Sequence, residues 1–316
     1  MALPAILENL RIPVIASPLF IISNPDLVIA QCKAGVVGSF PSLNARSIDI
    51  LESWLQQIID ALKDDAAAAP YAVNLIVHKS NNRLEEDLAL CEKYQVPIVI
   101  TSLGANEDVN TRITAYGGIV LHDVINNRFA KKAIEKGATG LIAVAAGAGG
   151  HAGALSPFAL IQEIRSWFDG PLILSGSIAN GHAVLGAQAM GADLAYIGSA
   201  FIATAEANAD PLYKDALVQY AANDIVYTNL FTGVHGNYLA PSIEAAGLDP
   251  KNLPQSDPSQ MNFGSGGDSE SKAWKDIWGC GQGIGAVQAV LPAADFIDRL
   301  ASEYATAKSR LQALTA

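Results

Sequence analysis

One stretch stands out for the chemistry it could carry: Val144-Ala145-Ala146-Gly147-Ala148-Gly149-Gly150-His151-Ala152-Gly153. Glycines crowd around a single histidine. Glycine loses more conformational freedom on folding than any other residue, so such a cluster points to close backbone approach by a ligand or to unusual φ values. A histidine held there can act as a general base or as a hydrogen-bond donor near neutral pH. Two glycine–serine phrases follow, Ser175-Gly176-Ser177 and Ile197-Gly198-Ser199. Their amides and hydroxyls suit a phosphate and require no lysine or arginine. Upstream, Ala16-Ser17-Pro18 would let a flat ligand lie against main chain, or the proline simply ends a strand. Asn74 sits inside an apolar run, so its amide needs a ligand or a backbone carbonyl as partner. In His122-Asp123 either side chain could reach a ligand, or serve a turn or a structural hydrogen bond.

These residues all end short apolar runs. The runs are Ile12–Ser17, Gly35–Phe40, Tyr71–Val77, Val96–Thr101, Gly118–His122, Gly140–Ala145, Pro171–Ser175 and Leu194–Ile197. Each is continuous rather than alternating, as for parallel strands buried on both faces. Amphipathic stretches separate them: Pro25–Lys33, Ser47–Lys63, Asn81–Tyr94, Glu107–Tyr116, Asn127–Lys136, Pro157–Trp167 and Gly181–Met190. Eight strands alternating with helices predict an α/β fold of the (β/α)8 TIM-barrel class, whose chemistry sits at the C-terminal strand ends. Lys33-Ala34-Gly35, Lys136-Gly137-Ala138 and Met190-Gly191-Ala192 read as helix ends turning into strands.

Beyond Phe201 the alternation stops. Residues 248–272 are rich in Pro, Ser, Gly and Asp and read as a long surface loop. Helical pattern returns at Gly285–Leu314. The expected organisation is a barrel of residues 1–205 plus 285–316, with a small, mostly helical cap, 206–284, inserted after the eighth strand.

The composition narrows the class. The 316 residues are 50% hydrophobic and 16% charged, with a net charge of −11. That is ample for a large core, and it argues against nucleic acid or an anionic membrane as partner. Cys32, Cys91 and Cys280 form neither a disulfide framework nor a metal-binding spacing. The N-terminus lacks the basic and apolar regions of a signal peptide. These features predict a soluble, cytoplasmic protein without a metal site. The composition is also compatible with a homodimer. Neither G-x-x-x-x-G-K-[ST] nor H-E-x-x-H occurs. Gly281-Gln282-Gly283-Ile284-Gly285 does not open a β-α-β unit, and Gly264-Ser265-Gly266 lies in the polar loop.

Taken together, the residues resemble the nitronate monooxygenase family, formerly called 2-nitropropane dioxygenases. The resemblance covers nearly the whole chain. PVIASPLF is similar to the family's P-[IV]-[IV]-x-[AS]-P-M segment, YAVNLIV to its G-V-N-L strand, and AGAGGHAG to its E-A-G-G-H-x-G loop. LILSGSIANGHAVLGAQAMGADLAYIGSAFIATAEA is similar to its double phosphate motif, and IWGCGQGIG to its W-x-x-G-Q segment.

The resemblance implies an FMN-dependent barrel that oxidises alkyl nitronates or nitroalkanes with O2, giving a carbonyl compound and nitrite. It implies that Ala16, Ser17 and Pro18 line the isoalloxazine and that Asn74 hydrogen-bonds the flavin. Gly149 and Gly150 would pack beside the ring or ribityl chain. Gly176, Ser177, Gly198 and Ser199 would hold the phosphate. His151 would be the catalytic histidine, and Gln282 would reach back from the cap. There are departures. Gly147 stands where relatives often carry Glu, Val144 where they often carry Gln, and Asp123 where some carry Lys near the flavin. A carboxylate there would disfavour an anionic reduced flavin, so either Asp123 turns away or His122 substitutes as the flavin-contacting residue. The rival readings are an NAD(P)H-dependent FMN reductase of a quinone or enoyl thioester, and a non-catalytic flavin- or phosphate-ligand-binding protein.

Overall fold

The structure is a computed structural model and describes residues 3–256 and 277–315. A short helix, α1 (Ala5–Glu8), precedes β1 (Val14–Ala16). Then follow α2 (Pro25–Lys33), β2 (Gly38–Pro41), α3 (Ile48–Leu62), β3 (Tyr71–Ile76), α4 (Leu84–Lys93) and β4 (Ile98–Ser102). The second half runs α5 (Glu107–Ala115), β5 (Ile119–Val124), α6 (Asn127–Glu135), β6 (Gly140–Val144), a two-residue β7 (Gly150–His151) and α7 (Pro157–Arg165). It continues with β8 (Leu172–Ser175), α8 (Gly181–Ala189) and β9 (Leu194–Ile197). Each of the eight runs read from the sequence forms a strand.

The strands pair in parallel in the order β1-β9-β8-β6-β5-β4-β3-β2. A parallel bridge, Ile15 to Val37, joins the ends of that order, and the Ala16 amide donates to Val37 O at 2.8 Å. The result is a barrel. Side chains alternate between its two faces. Ile15, Val37, Ile98, Ile100, Leu121, Ile142 and Ile173 fill the interior. Val73, Leu75, Val99 and Val120 pack outward against helices. Leu7 of α1 belongs to the interior cluster.

The helices start and stop where local chemistry directs. Asn24, Asn126 and Asn180 each accept a backbone amide of the first helical turn through Oδ1, as N-caps do. Gly137 and Gly191 adopt φ of 85° and 111°, the left-handed turn that follows a helix end.

After β9 come α9 (Ser199–Ile202), α10 (Pro211–Gln219), β10 (Ile225–Thr228), β11 (Gly236–Leu239), α11 (Ala240–Ala245) and the long α12 (Ala293–Thr315). Among the described residues of this segment, two short strands accompany the helices. β10 and β11 form an antiparallel pair, and β11 also pairs with β7, Gly236 opposite His151. Neither β10 nor β11 sits in the strand–helix alternation that marks the barrel strands. The polar loop expected at 248–272 is described only to residue 256, and Gly264-Ser265-Gly266 lies outside the described residues. No helix among the described residues is long and apolar enough to cross a membrane.

The last helix returns to the barrel. The Gly181 amide donates to Glu303 at 2.8 Å, and the Tyr304 hydroxyl donates to Gln188 at 2.5 Å. A Cβ on Gly181 would strike the backbone at Leu300 and Tyr304. Gly181→Ala must therefore open the seam between α8 and α12. A loss of about 2–3 kcal/mol is expected, typical of overpacking, read as a lower urea midpoint with an unchanged m-value.

His122 gives a second test. Its ring is buried on the outer face of β5, and burial pushes its pKa down to about 4 from 6.5. Between those values the unfolded chain takes up a proton that the folded chain refuses, so stability falls as pH falls through that window. His122→Gln removes about 3 kcal/mol of that loss. Urea unfolding at pH 7.5 and 4.5 should show a shallower acid decline in the variant; an equal decline would contradict the buried neutral ring.

Candidate active site

The C-terminal strand ends form the barrel mouth, and the alternation of side chains decides what lines it. On β5, Leu121 belongs to the interior cluster, while Val120 and Val124 pack outside it. Asp123 therefore faces inward and His122 outward. His122 Nδ1 lies 2.6 Å from Thr101 Oγ1, also on the outer face. This corrects the expectation that His122 contacts the ligand: a strand cannot present two successive side chains to one face.

Asp123 ends a chain of hydrogen bonds. Ser102 Oγ donates to Asp123 Oδ2 at 2.6 Å, and Asn74 Nδ2 donates to Ser102 Oγ at 2.8 Å and to Ile100 O at 3.1 Å. Both amide protons of Asn74 are thus used within the protein, and its carbonyl oxygen is the atom left to meet a ligand. Asp123 Oδ1 and Tyr196 Oη are buried without hydrogen-bond partners. Burial raises the Asp123 carboxyl to about 7, against the opposing pull of the Ser102 hydrogen bond.

Ala16-Ser17-Pro18 leads from β1 into a pinned loop. Ser39 Oγ donates to Ala16 O at 2.5 Å, and the Ser17 amide donates to Ile197 O at 2.8 Å. The Asn44 side chain accepts from the Ile21 amide and donates to Leu19 O and Ser23 O. Gly198 lies beside this loop, its missing Cβ 3.4 Å from Ser17.

The loops after β6, β8 and β9 meet the segment 280–283 at close range. A Cβ on Gly147 would strike Ser177 Oγ, and one on Gly149 would come within 2.8 Å of both the Gly281 amide and Ser199 Oγ. Gly176 adopts φ 137°, and a Cβ there would approach Ala146 O at 2.8 Å. Ser177 itself has φ 56°, unusual for a residue with a side chain. Hydrogen bonds join the strips: the Gln282 amide to Gly147 O at 2.9 Å, and the Gly281 amide to Ser199 Oγ at 2.8 Å. Asn237 Nδ2 donates to Ala148 O at 2.6 Å from β11. Gly149, Gly150, Gly176, Ser177, Ser199 and Gln282, far apart in sequence, are thus brought into one region.

His151 adjoins it on β7. Its Nε2 is hydrogen-bonded to Thr232 Oγ1 at 2.9 Å, with the donor set by the ring tautomer, and Thr232 Oγ1 also lies 3.0 Å from Val234 O. Burial lowers its pKa to about 4, so it is uncharged at neutral pH.

Sequence reasoning missed Ser39, Ser102, Tyr196, Thr232 and Asn237. A polar residue in an apolar run signals Ser39, Ser102 and Tyr196. Nothing local signals Thr232 or Asn237, whose partners lie 81 and 89 residues away.

Comparison with known proteins places this geometry. A nitronate monooxygenase of Paraburkholderia phytofirmans is 26% identical, with 92% of each chain covered. A nitroalkane oxidase from Streptomyces ansochromogenes has a similar fold, with a TM-score of 0.82 and 22% identity over 97% of this chain and 99% of that one. FabK from Thermotoga maritima aligns with a TM-score of 0.77 and 21% identity, over 98% and 97%. The family model for nitronate monooxygenase matches residues 5–303. On that match the chain, an oxidoreductase built as a TIM barrel, belongs to the nitronate monooxygenase family.

Proposed function

We propose that this enzyme binds FMN in the barrel mouth and oxidises alkyl nitronates with O2 to a carbonyl compound and nitrite. The observation that carries the reading is the convergence of three glycine loops at the mouth, with an uncharged histidine beside them. The residues present fit the cofactor. Asn74 donates both amide protons within the protein, so its carbonyl oxygen can accept from a polar heterocycle, and the glycine loops present main chain free of side chains. FMN would supply the redox step between nitronate and O2.

The chain's own residues bind and orient. Ala16, Ser17 and Pro18 would offer main chain to the flat ring, and Gly149 and Gly150 would allow it close. Gly176, Ser177, Gly198 and Ser199 would hold the phosphate through amides and hydroxyls, which suits an acidic protein. Gln282 would close the site from the segment that follows α11. His151, hydrogen-bonded through Nε2 to Thr232 and kept neutral by burial, is a weak base. It would orient a preformed nitronate and would abstract a proton from a neutral nitroalkane only poorly.

Purified flavin-loaded protein given propionate 3-nitronate without NAD(P)H should consume O2 and release nitrite. Flavin that stays oxidised with nitronate but bleaches anaerobically with NAD(P)H would favour the reductase of a quinone or enoyl thioester. His151→Ala should lower kcat/KM for the nitronate roughly 10- to 100-fold, the range for losing a hydrogen bond to a charged group, while FMN content is unchanged. Full activity in that variant would remove His151 from the reaction.

A further inference from the structure

His151 stands on the edge strand of the small sheet β10-β11-β7. The sheet fixes its main chain. The Ala152 amide donates to His235 O at 3.1 Å, and Tyr227 Oη donates to Ala152 O at 2.9 Å. The sheet does not brace its ring in the same way. Opposite His151 on β11 is Gly236, where a Cβ would approach Gly150 O at 2.7 Å. The cross-strand neighbour that usually supports a side chain on a sheet is therefore absent. The second torsion of a histidine side chain is broad, so a fixed main chain leaves the direction of the imidazole open.

The loop between β10 and β11 supplies a hold on the ring. Thr232 Oγ1 lies 2.9 Å from His151 Nε2. That hydroxyl is itself fixed, because it accepts from the Val234 amide at 3.2 Å and lies 3.0 Å from Val234 O. Its loop is fixed on both sides. Phe231 packs edge-on against the buried ring of Tyr238, centroids 4.9 Å apart. Gly233, at φ 75°, turns the chain, and its amide donates to Asn229 O at 2.9 Å. The Asn229 side chain donates to Ser256 O and accepts from the Ser256 amide.

We infer that Thr232 is a positioning residue for His151: its hydroxyl sets the direction of the imidazole, and with it the geometry of the hydrogen bond that His151 offers the nitronate. The inference rests on the reading of His151 given above. A hydroxyl suits this task because it donates or accepts, so the contact holds in either tautomer of the neutral ring. Direction matters because a hydrogen bond weakens steeply as its angle closes. A loop outside the eight β/α units thus acts on the reaction through one ring.

The test uses the flavin-loaded full chain, with rates taken per bound FMN. Thr232→Val replaces the hydroxyl with a methyl group of similar shape. It should lower kcat/KM for propionate 3-nitronate about 3- to 10-fold, the rate equivalent of one neutral hydrogen bond. Thr232→Ser, which keeps the hydroxyl, should recover most of that loss, and Thr232→Ala serves as a second probe of it. In a His151→Ala background Thr232→Val should cost no more than about twofold, because the group through which it acts is gone. A wild-type rate in Thr232→Val and Thr232→Ala, or the same loss with and without His151, overturns the proposal. Nitrogen NMR of the imidazoles gives a readout independent of turnover. The His151 signal, assigned by its absence in His151→Ala, should shift in Thr232→Val and return in Thr232→Ser; an unmoved signal also overturns the proposal. If the wild-type protein does not oxidise the nitronate, the reading of the reaction fails and takes this inference with it. A signal that still shifts in Thr232→Val then shows that the contact stands and the assigned reaction does not.

Discussion

Each strand of a closed parallel barrel has two buried faces, and this constraint governs the rest of the molecule. One face fills the interior and the other meets the helices, so every side chain must be apolar or find a partner inside the protein. Ile15, Ile98, Leu121 and Ile173 satisfy the first condition, and Val73, Val99 and Val120 do so on the second face. The polar exceptions carry the interest. Thr101 and His122 satisfy one another on the outer face, and Ser39 supports Ala16 O. Asn74, Ser102 and Asp123 make a chain on the inner face that stops one atom short of completion.

That chain lies at the C-terminal strand ends, where the glycine loops also gather. The loops after β6, β8 and β9 approach so closely that only glycine fits at Gly147 and Gly149, because a methyl group would fall on Ser177, Ser199 or the Gly281 amide. The small sheet β10-β11-β7 ties the glycine loop to the segment beyond β9, and Asn237 holds Ala148 O from the same sheet. His151 is placed by these contacts rather than by the barrel itself. Its position relative to the strand ends therefore depends on a segment outside the eight β/α units.

The electrostatics of the mouth follow from burial. Asp123 is pushed up and His151 down, so two groups that could carry opposite charges are both neutral in mildly acidic solution. A chain with a net charge of −11 can accept a phosphate-bearing ligand on these terms, because loop amides and hydroxyls neutralise the anion without adding fixed charge of the same sign.

The eight strands and seven intervening helices were readable from the chain, because continuous apolar runs, amphipathic stretches and glycine helix ends are local signals. The glycine-rich loop with His151 and the two glycine–serine phrases were readable for the same reason. Other features were not. Whether His122 or Asp123 enters the barrel depends on register, and a shift of one residue exchanges the two faces of a strand. The strands β10 and β11 stand outside the strand–helix alternation, so no neighbouring helix marks them. Thr232 and Asn237 acquire their roles only when the chain brings them to His151 and Ala148. By itself the sequence determined the barrel and its glycine-rich loops, since those depend on neighbours along the chain. Tertiary structure alone decided that Asp123 rather than His122 turns into the barrel and which way burial moves each pKa, since burial is a property of what packs around a group and not of its neighbours in sequence.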